Sequence, residues 1–198
     1  MEKPADTDRE IHDLLGRRWS PRAFQDRSVD QQTLDVLFEA ARWAPSCFND
    51  QPWEFFVAHR DEDSTYYQQL LNALVEGNRI WAKHAPVLGC SLARTEFNHN
   101  GEPNDHARHD VGLAMENLVL EALNHDLFVH QMAGFDSDTI REEFSLPTNR
   151  EPVAMFALGY PGDPEQLPEE LAEAERSPRE RKPRDQFVFT ENNPADWS

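Results

Sequence analysis

The chain has 198 residues, with 37 Asp and Glu against 19 Lys and Arg, and a formal net charge of −18. That length suits a single domain with a sizeable core, while the charge disfavours nucleic acid and anionic membrane surfaces as partners. The first twenty residues carry charges throughout and no apolar run long enough for a signal peptide or membrane span, which predicts a soluble, cytoplasmic protein.

In chain order, Thr7-Asp8-Arg9-Glu10 fits a capping box, and Ile11, Leu14 and Leu15 follow at helical spacing, so a first helix is predicted to end near Arg17. In "SVDQQTLDVLFEAARWAPS", Ser28 or Asp30 caps a second helix whose apolar face is Leu34, Leu37, Phe38 and Ala41, and Pro45 ends it. "WEFFVAH" (residues 53–59) is aromatic and β-prone and reads as a strand. Tyr67, Leu70, Leu71 and Leu74 predict a third helix over residues 64–84, and "PVLGCSLA" (residues 86–93) a buried strand. The polar, turn-rich residues 95–106 read as a loop bordering a site, with Phe97 as an aromatic cover and a plain surface loop as the alternative.

Residues 108–125 are apolar nearly all round, which requires cover on every side; a second subunit is a ready cover, and a homodimer is expected. "AGFDSDTIREEFSLP" predicts a turn and a short helix, and "PVAMFALGYPG" (residues 152–162) a central strand ended by a turn. Beyond Asp163 the composition turns to Glu, Pro and Arg until "QFVFT" (residues 186–190), a short strand that must pair with a distant sheet edge, such as the partner's. The class is α+β, one domain with a central sheet covered by helices on both sides.

Neither Gly-rich phosphate cradle, the dinucleotide fingerprint or the P-loop, is present. Positive charge gathers instead in two islands: Arg17, Arg18 and Arg22 in "RRWSPRAF", and Arg176, Arg179, Arg181, Lys182 and Arg184 near the end. Guanidinium forks fit phosphate oxygens bidentately, and the Ser20 hydroxyl adds a donor, so an anion is the expected ligand; neutralisation of nearby acids is the competing reading. In "APSCFNDQPWEFFV" (residues 44–57) two prolines fix a loop on which Asn49 and Gln51 offer amides suited to the C=O and N–H edges of a flat heterocycle.

"RRWSPRAF", then "AARWAPSCFNDQPWEF", "AGFD" and "GYPGDP", in that order, resemble the FMN-dependent nitroreductase family over most of the chain. The resemblance implies a three-layer α/β/α sandwich with a mixed, mostly antiparallel sheet, a homodimer that exchanges the C-terminal strand (an arm over residues 163–198), and two interface FMN sites. It places Arg18, Trp19, Ser20 and Arg22 in the first FMN-contacting segment, with Arg22 near the pyrimidine edge of the ring. Pro45, Ser46, Cys47 and Asn49 resemble the segment supplied by the other subunit. It further puts Asn78 against the ring, Ala133 and Gly134 at the backbone turn near N5, and Arg179 and Arg181 on the phosphate. The implied reaction is ping-pong: NAD(P)H reduces tightly but non-covalently held FMN, which passes two electrons to nitroaromatics, quinones or similar electrophiles. No catalytic acid or base and no metal is called for. Alternatives are a flavin-binding or regulatory protein without turnover, and flavin-fragmenting or reductive-dehalogenating relatives, which depart from the Asn49-x-Gln51 pattern.

Other features are set aside. His106, His109 and Asp110 with His99 nearby read as solvated side chains or helix caps before metal ligands, and Cys47 as a packing residue before a nucleophile. Glu39, Glu116 and Glu121 read as solvent or interface contacts. The bases are 16 Arg and only Lys3, Lys83 and Lys182, and this distributed acidic surface suits a high-salt habitat.

Overall fold

The computed structural model describes residues 2–61, 64–191 and 193–195. Four strands pair in the order β1-β2-β4-β3, and every ladder is antiparallel. They are β1 (Trp53–His59), β2 (Val87–Arg94), β3 (Phe128–Met132) and β4 (Arg150–Gly159). Side-chain alternation sorts β2 between two cores. Val87 and Ala93 join one cluster, with Leu34 and Leu37 of α2 (Gln31–Arg42) and Val111, Met115 and Leu118 of α5 (Ala107–Asn124). Leu88, Cys90 and Leu92 join the other, with Tyr67 and Leu70 of α3 (Ser64–Ala73), Trp81 of α4 (Glu76–Ala82) and Ile140 of α6 (Ser137–Glu143). The result is the expected three-layer arrangement. Gly89 lies where a Cβ would stand 2.2 Å from the Phe156 ring and 2.7 Å from the Phe56 carbonyl, so the sheet closes only on a glycine there.

Several elements differ from expectation. The first helix, α1, is a single turn, Asp13–Arg17, capped by His12 rather than Thr7. Ile11 and Leu15 remain exposed, so no packing pays the nucleation cost of a longer helix. The predicted 64–84 helix breaks at Val75, whose extended backbone (φ −60, ψ 152) separates α3 from α4. α5 is already largely covered by its own chain, from α2 and the sheet, so its burial does not itself require a second subunit. β3 and α7 (Glu169–Arg176) were not expected at all. The anticipated strand at residues 186–190 joins no sheet among the described residues: a 3-10 turn covers Arg184–Gln186, and Thr190 bridges only to Asn193. Phe187, Val188 and Phe189 are exposed. No helix among the described residues is long and apolar enough to cross a membrane.

Candidate functional site

The arginine segment begins where α1 ends. Arg18 leaves the helix with extended backbone, its N–H capping to the Leu14 carbonyl. From there to Ala23 the backbone is gripped from outside, because an irregular segment has no ladder to satisfy its polar groups. His130 on β3 approaches the Pro21 carbonyl at 2.9 Å. A proline carbonyl can only accept, so the His130 Nδ1 carries the proton. Burial, the largest influence, lowers His130 to a pKa of about 4, and the imidazole is neutral at pH 7. The Glu175 Oε1 accepts from the Arg22 and Ala23 N–H groups at 2.7 and 3.2 Å. The Arg179 guanidinium donates to the Gly16 carbonyl at 2.6 Å and also to the Arg18 carbonyl.

With that backbone fixed, the charges gather. The Arg18 Nη1 donates to the Ser20 hydroxyl at 3.3 Å. Burial lowers the pKa of Arg18; Glu116 offsets part of this, and Arg181 lowers it further. Arg179 is lowered by burial first, then by Arg18 and Arg181. The three guanidiniums thus feel one another. Nine arginines form ion pairs with carboxylates; among the described residues the scattered Arg9, Arg27, Arg141 and Arg184 form none, nor do Arg18, Arg179 and Arg181. Two buried donors beside them, Trp19 Nε1 and Arg179 Nε, have no partner. Arg22 is different: its guanidinium lies 3.6 Å from the Glu175 carboxylate, on the protein side.

β3 connects this segment to the next predicted pair. Phe128 meets Trp19 edge-on at 6.0 Å, His130 supports Pro21, and the strand then delivers Ala133 and Gly134. The Gly134 carbonyl accepts from the Asn78 side chain at 3.0 Å and from the Val75 N–H at 3.1 Å. A Cβ on Gly134 would stand 2.7 Å from the Asn78 amide nitrogen and 2.9 Å from Val75 Cγ2, so any larger residue here must push those side chains aside. The break between α3 and α4 is what brings Asn78 to this turn.

Residues 44–51 form a separate structure. Phe48, Asn49 and Gln51 have φ of 54°, 54° and 50°. Left-handed backbone on three non-glycine residues costs roughly 1–3 kcal/mol each and persists only where the surroundings enforce it. Two buried carboxylates do so. Asp110 accepts from the Cys47 N–H at 3.0 Å, and Asp50 binds Arg94 at 2.6 Å and the Asn98 N–H at 2.8 Å. Burial would raise the Asp50 pKa, but the Asn98 N–H and Arg94 overcome it and leave it lowered. The Gln51 N–H returns to the Ser46 hydroxyl at 3.0 Å. Pro45 and Asn49 face solvent, and Phe48 is 80% exposed beside Phe97 and His99. Beyond its own turn the loop's hydrogen bonds run to α5, to β2 and to Asn98, and among the described residues none reaches the arginine segment.

A family model described as the nitroreductase family matches residues 15–160. The chain belongs to the nitroreductase family. Among solved structures, an oxidoreductase containing FMN shares 33% identity and a TM-score of 0.87, with 94% of each chain covered. An uncharacterised 15.4 kDa protein of Mycolicibacterium smegmatis is 39% identical over 63% of this chain and 82% of its own. The major NAD(P)H-flavin oxidoreductase of Aliivibrio fischeri is 43% identical over a shorter stretch, 26% of this chain and 23% of its own.

In this nitroreductase-family chain, Arg18, Trp19, Ser20, Arg179 and Arg181 share one region, with Asn78, Ala133 and Gly134 one strand away. Pro45, Ser46, Cys47 and Asn49 form a second region. Sequence reading missed His130, Glu175 and Asp50, which hold the irregular segments in place, and read Asp110 as a solvated side chain or helix cap, whereas it is buried and accepts from the Cys47 N–H. For Asp50 a signal existed, as an acid inside a loop otherwise built of amides and prolines. His130 and Glu175 had none, since a lone histidine and one Glu among many carry no pattern.

Proposed function

We propose that the chain is an FMN-dependent oxidoreductase that takes hydride from NAD(P)H and passes two electrons to nitroaromatics, quinones or similar acceptors in a ping-pong cycle. The observation that carries this reading is the trio Arg18, Arg179 and Arg181, which gathers without a paired carboxylate in a chain of net charge −18. Arg18 and Arg179 are half-buried and Arg181 is exposed, so like charges meet at the edge of the protein with only Glu116 opposing them, and a phosphate monoester would bring ~1.5 to 2 negative charges to offset their repulsion. The residues present fit that group: Ser20 and the unpartnered Arg179 Nε and Trp19 Nε1 add donors.

FMN, when bound, supplies the hydride acceptor and two-electron carrier, so no protein nucleophile is needed. Arg18, Arg179 and Arg181 hold the phosphate. Gly134 and Asn78 present a rigid backbone turn to the ring. The outward-facing loop of Pro45, Ser46, Cys47 and Asn49 serves the site of a second copy in a homodimer, and the C-terminal arm from residue 163 onward reaches that partner. Arg22 is directed to Glu175, so its influence on the ring is that of a partly compensated charge. We place the protein in the cytoplasm.

Purified protein should be yellow, bleach with NADH or NADPH under anaerobic conditions, and recolour with menadione or nitrofurazone. Yellow protein that neither nucleotide reduces would instead mark a flavin-binding protein without turnover.

A further inference from the structure

Glu175 is 1% exposed, whereas the other acids of its helix, Glu169, Glu170 and Glu173, face solvent. A fully buried Glu is rare unless paired, and burying a carboxylate costs several kcal/mol unless donors surround it. Here the donors are two consecutive backbone amides, those of Arg22 and Ala23, both on Oε1, with the Arg22 guanidinium 3.6 Å from Oε2. The Glu175 carbonyl also takes the Lys3 ammonium at 2.6 Å, tying the N-terminal residues to the same helix. Just past α7, Arg179 holds the carbonyls of Gly16 and Arg18. The late part of the chain therefore grips the arginine segment at both ends, through opposite chemistry: a carboxylate on N–H groups and a guanidinium on carbonyls.

We infer that Glu175 is a positioning residue for the anion site, fixing the backbone of Arg22 and Ala23 so that Arg18 and Ser20 meet Arg179 and Arg181 in one preformed cradle. This rests on the FMN reading above. Glu175 does not touch the anion; it removes the freedom of the segment that does, and preorganisation of this kind appears as affinity. Because both amides bind Oε1, a glutamine at this position keeps their acceptor and gives up the charge and the ion pair of Oε2 with Arg22.

The test compares FMN with riboflavin, which lacks the phosphate, by flavin fluorescence quenching on wild type, Glu175→Ala and Glu175→Gln. In Glu175→Ala the Kd for FMN is expected to rise at least about tenfold while that for riboflavin moves less than about threefold. Glu175→Gln is expected to bind FMN within about threefold of wild type. Unchanged FMN affinity in Glu175→Ala overturns the inference. So does an equal loss of FMN and riboflavin, which marks general loosening, or a loss in Glu175→Gln as large as in Glu175→Ala. If Glu175→Ala does not fold, Glu175→Asp, one methylene short of the amides, should lose FMN selectively; full FMN affinity there overturns the inference. If wild type binds no FMN, the functional reading fails instead. Inorganic phosphate then serves as the probe: its protection against thermal unfolding should be present in wild type and lost in Glu175→Ala, and equal protection in both overturns the inference.

Discussion

The arginine segment (residues 18–23) and the amide loop (residues 44–51) are both irregular, both follow a helix, and both are pinned by buried carboxylates, yet they are pinned to different ends. In the first, Glu175, His130 and Arg179 satisfy the backbone and leave the Arg18 guanidinium to donate to the Ser20 hydroxyl, in the field of Glu116 and Arg181. In the second, Asp110 and Asp50 force left-handed backbone on Phe48, Asn49 and Gln51 and turn Phe48 outward. On the function proposed above, the first region receives charge within its own chain and the second presents itself beyond it.

The largest effect expected from breaking this contrast is in the first region. Replacing Arg18 and Arg181 together with Ala should weaken FMN binding by at least about a hundredfold, since each charge-assisted hydrogen bond contributes about 1.5–3 kcal/mol. Flavin content after gel filtration checks it, and full retention would contradict the phosphate assignment. In the second region, Asp50→Ala leaves Arg94 without its buried partner and is expected to cost about 3–5 kcal/mol in a urea titration.

A somewhat smaller effect separates the regions by pH. His130 has a pKa of about 4 in the folded chain against 6.5 when unfolded, so between those values the unfolded state binds more protons. Stability from this group is complete above pH 6.5 and is lost as the pH falls toward 4, by about 3 kcal/mol in all. His130→Gln should flatten the urea midpoint against pH over that window, whereas a loop variant such as Phe48→Ala should leave its slope unchanged.

Gly134→Ala is expected to cost about 1–3 kcal/mol through overpacking against Asn78 and Val75, and less in an Asn78→Ala background. A double-mutant cycle by thermal unfolding measures that coupling. The smallest effect is global: if the acidic surface serves a high-salt habitat, molar NaCl should raise the melting temperature by screening its self-repulsion.

Much of the fold was legible from periodicity. β1 begins and ends where its aromatic run does, and α2 is capped by Asp30, whose side chain accepts from the Thr33 N–H at 2.8 Å. β3 was not legible because His130 and Gln131 interrupt its apolar alternation, and His130 is sheltered by tertiary contacts, the Pro21 carbonyl and the Trp81 ring. α7 was hidden because its buried face is Ala172 and Glu175, which in a Glu-rich stretch read as solvated. The candidate site followed the same division. Charged and amide residues announced themselves by clustering, while the groups that aim them are single residues far off in sequence, visible only once the chain has closed on itself.

The central claim is that cations from the two ends of the chain converge on one phosphate. Titrating flavin-free protein with FMN and with riboflavin at low and moderate salt tests it most directly. FMN should bind at least about a hundredfold more tightly, with an advantage that shrinks as salt rises. Equal affinity for the two flavins at every salt concentration would contradict it.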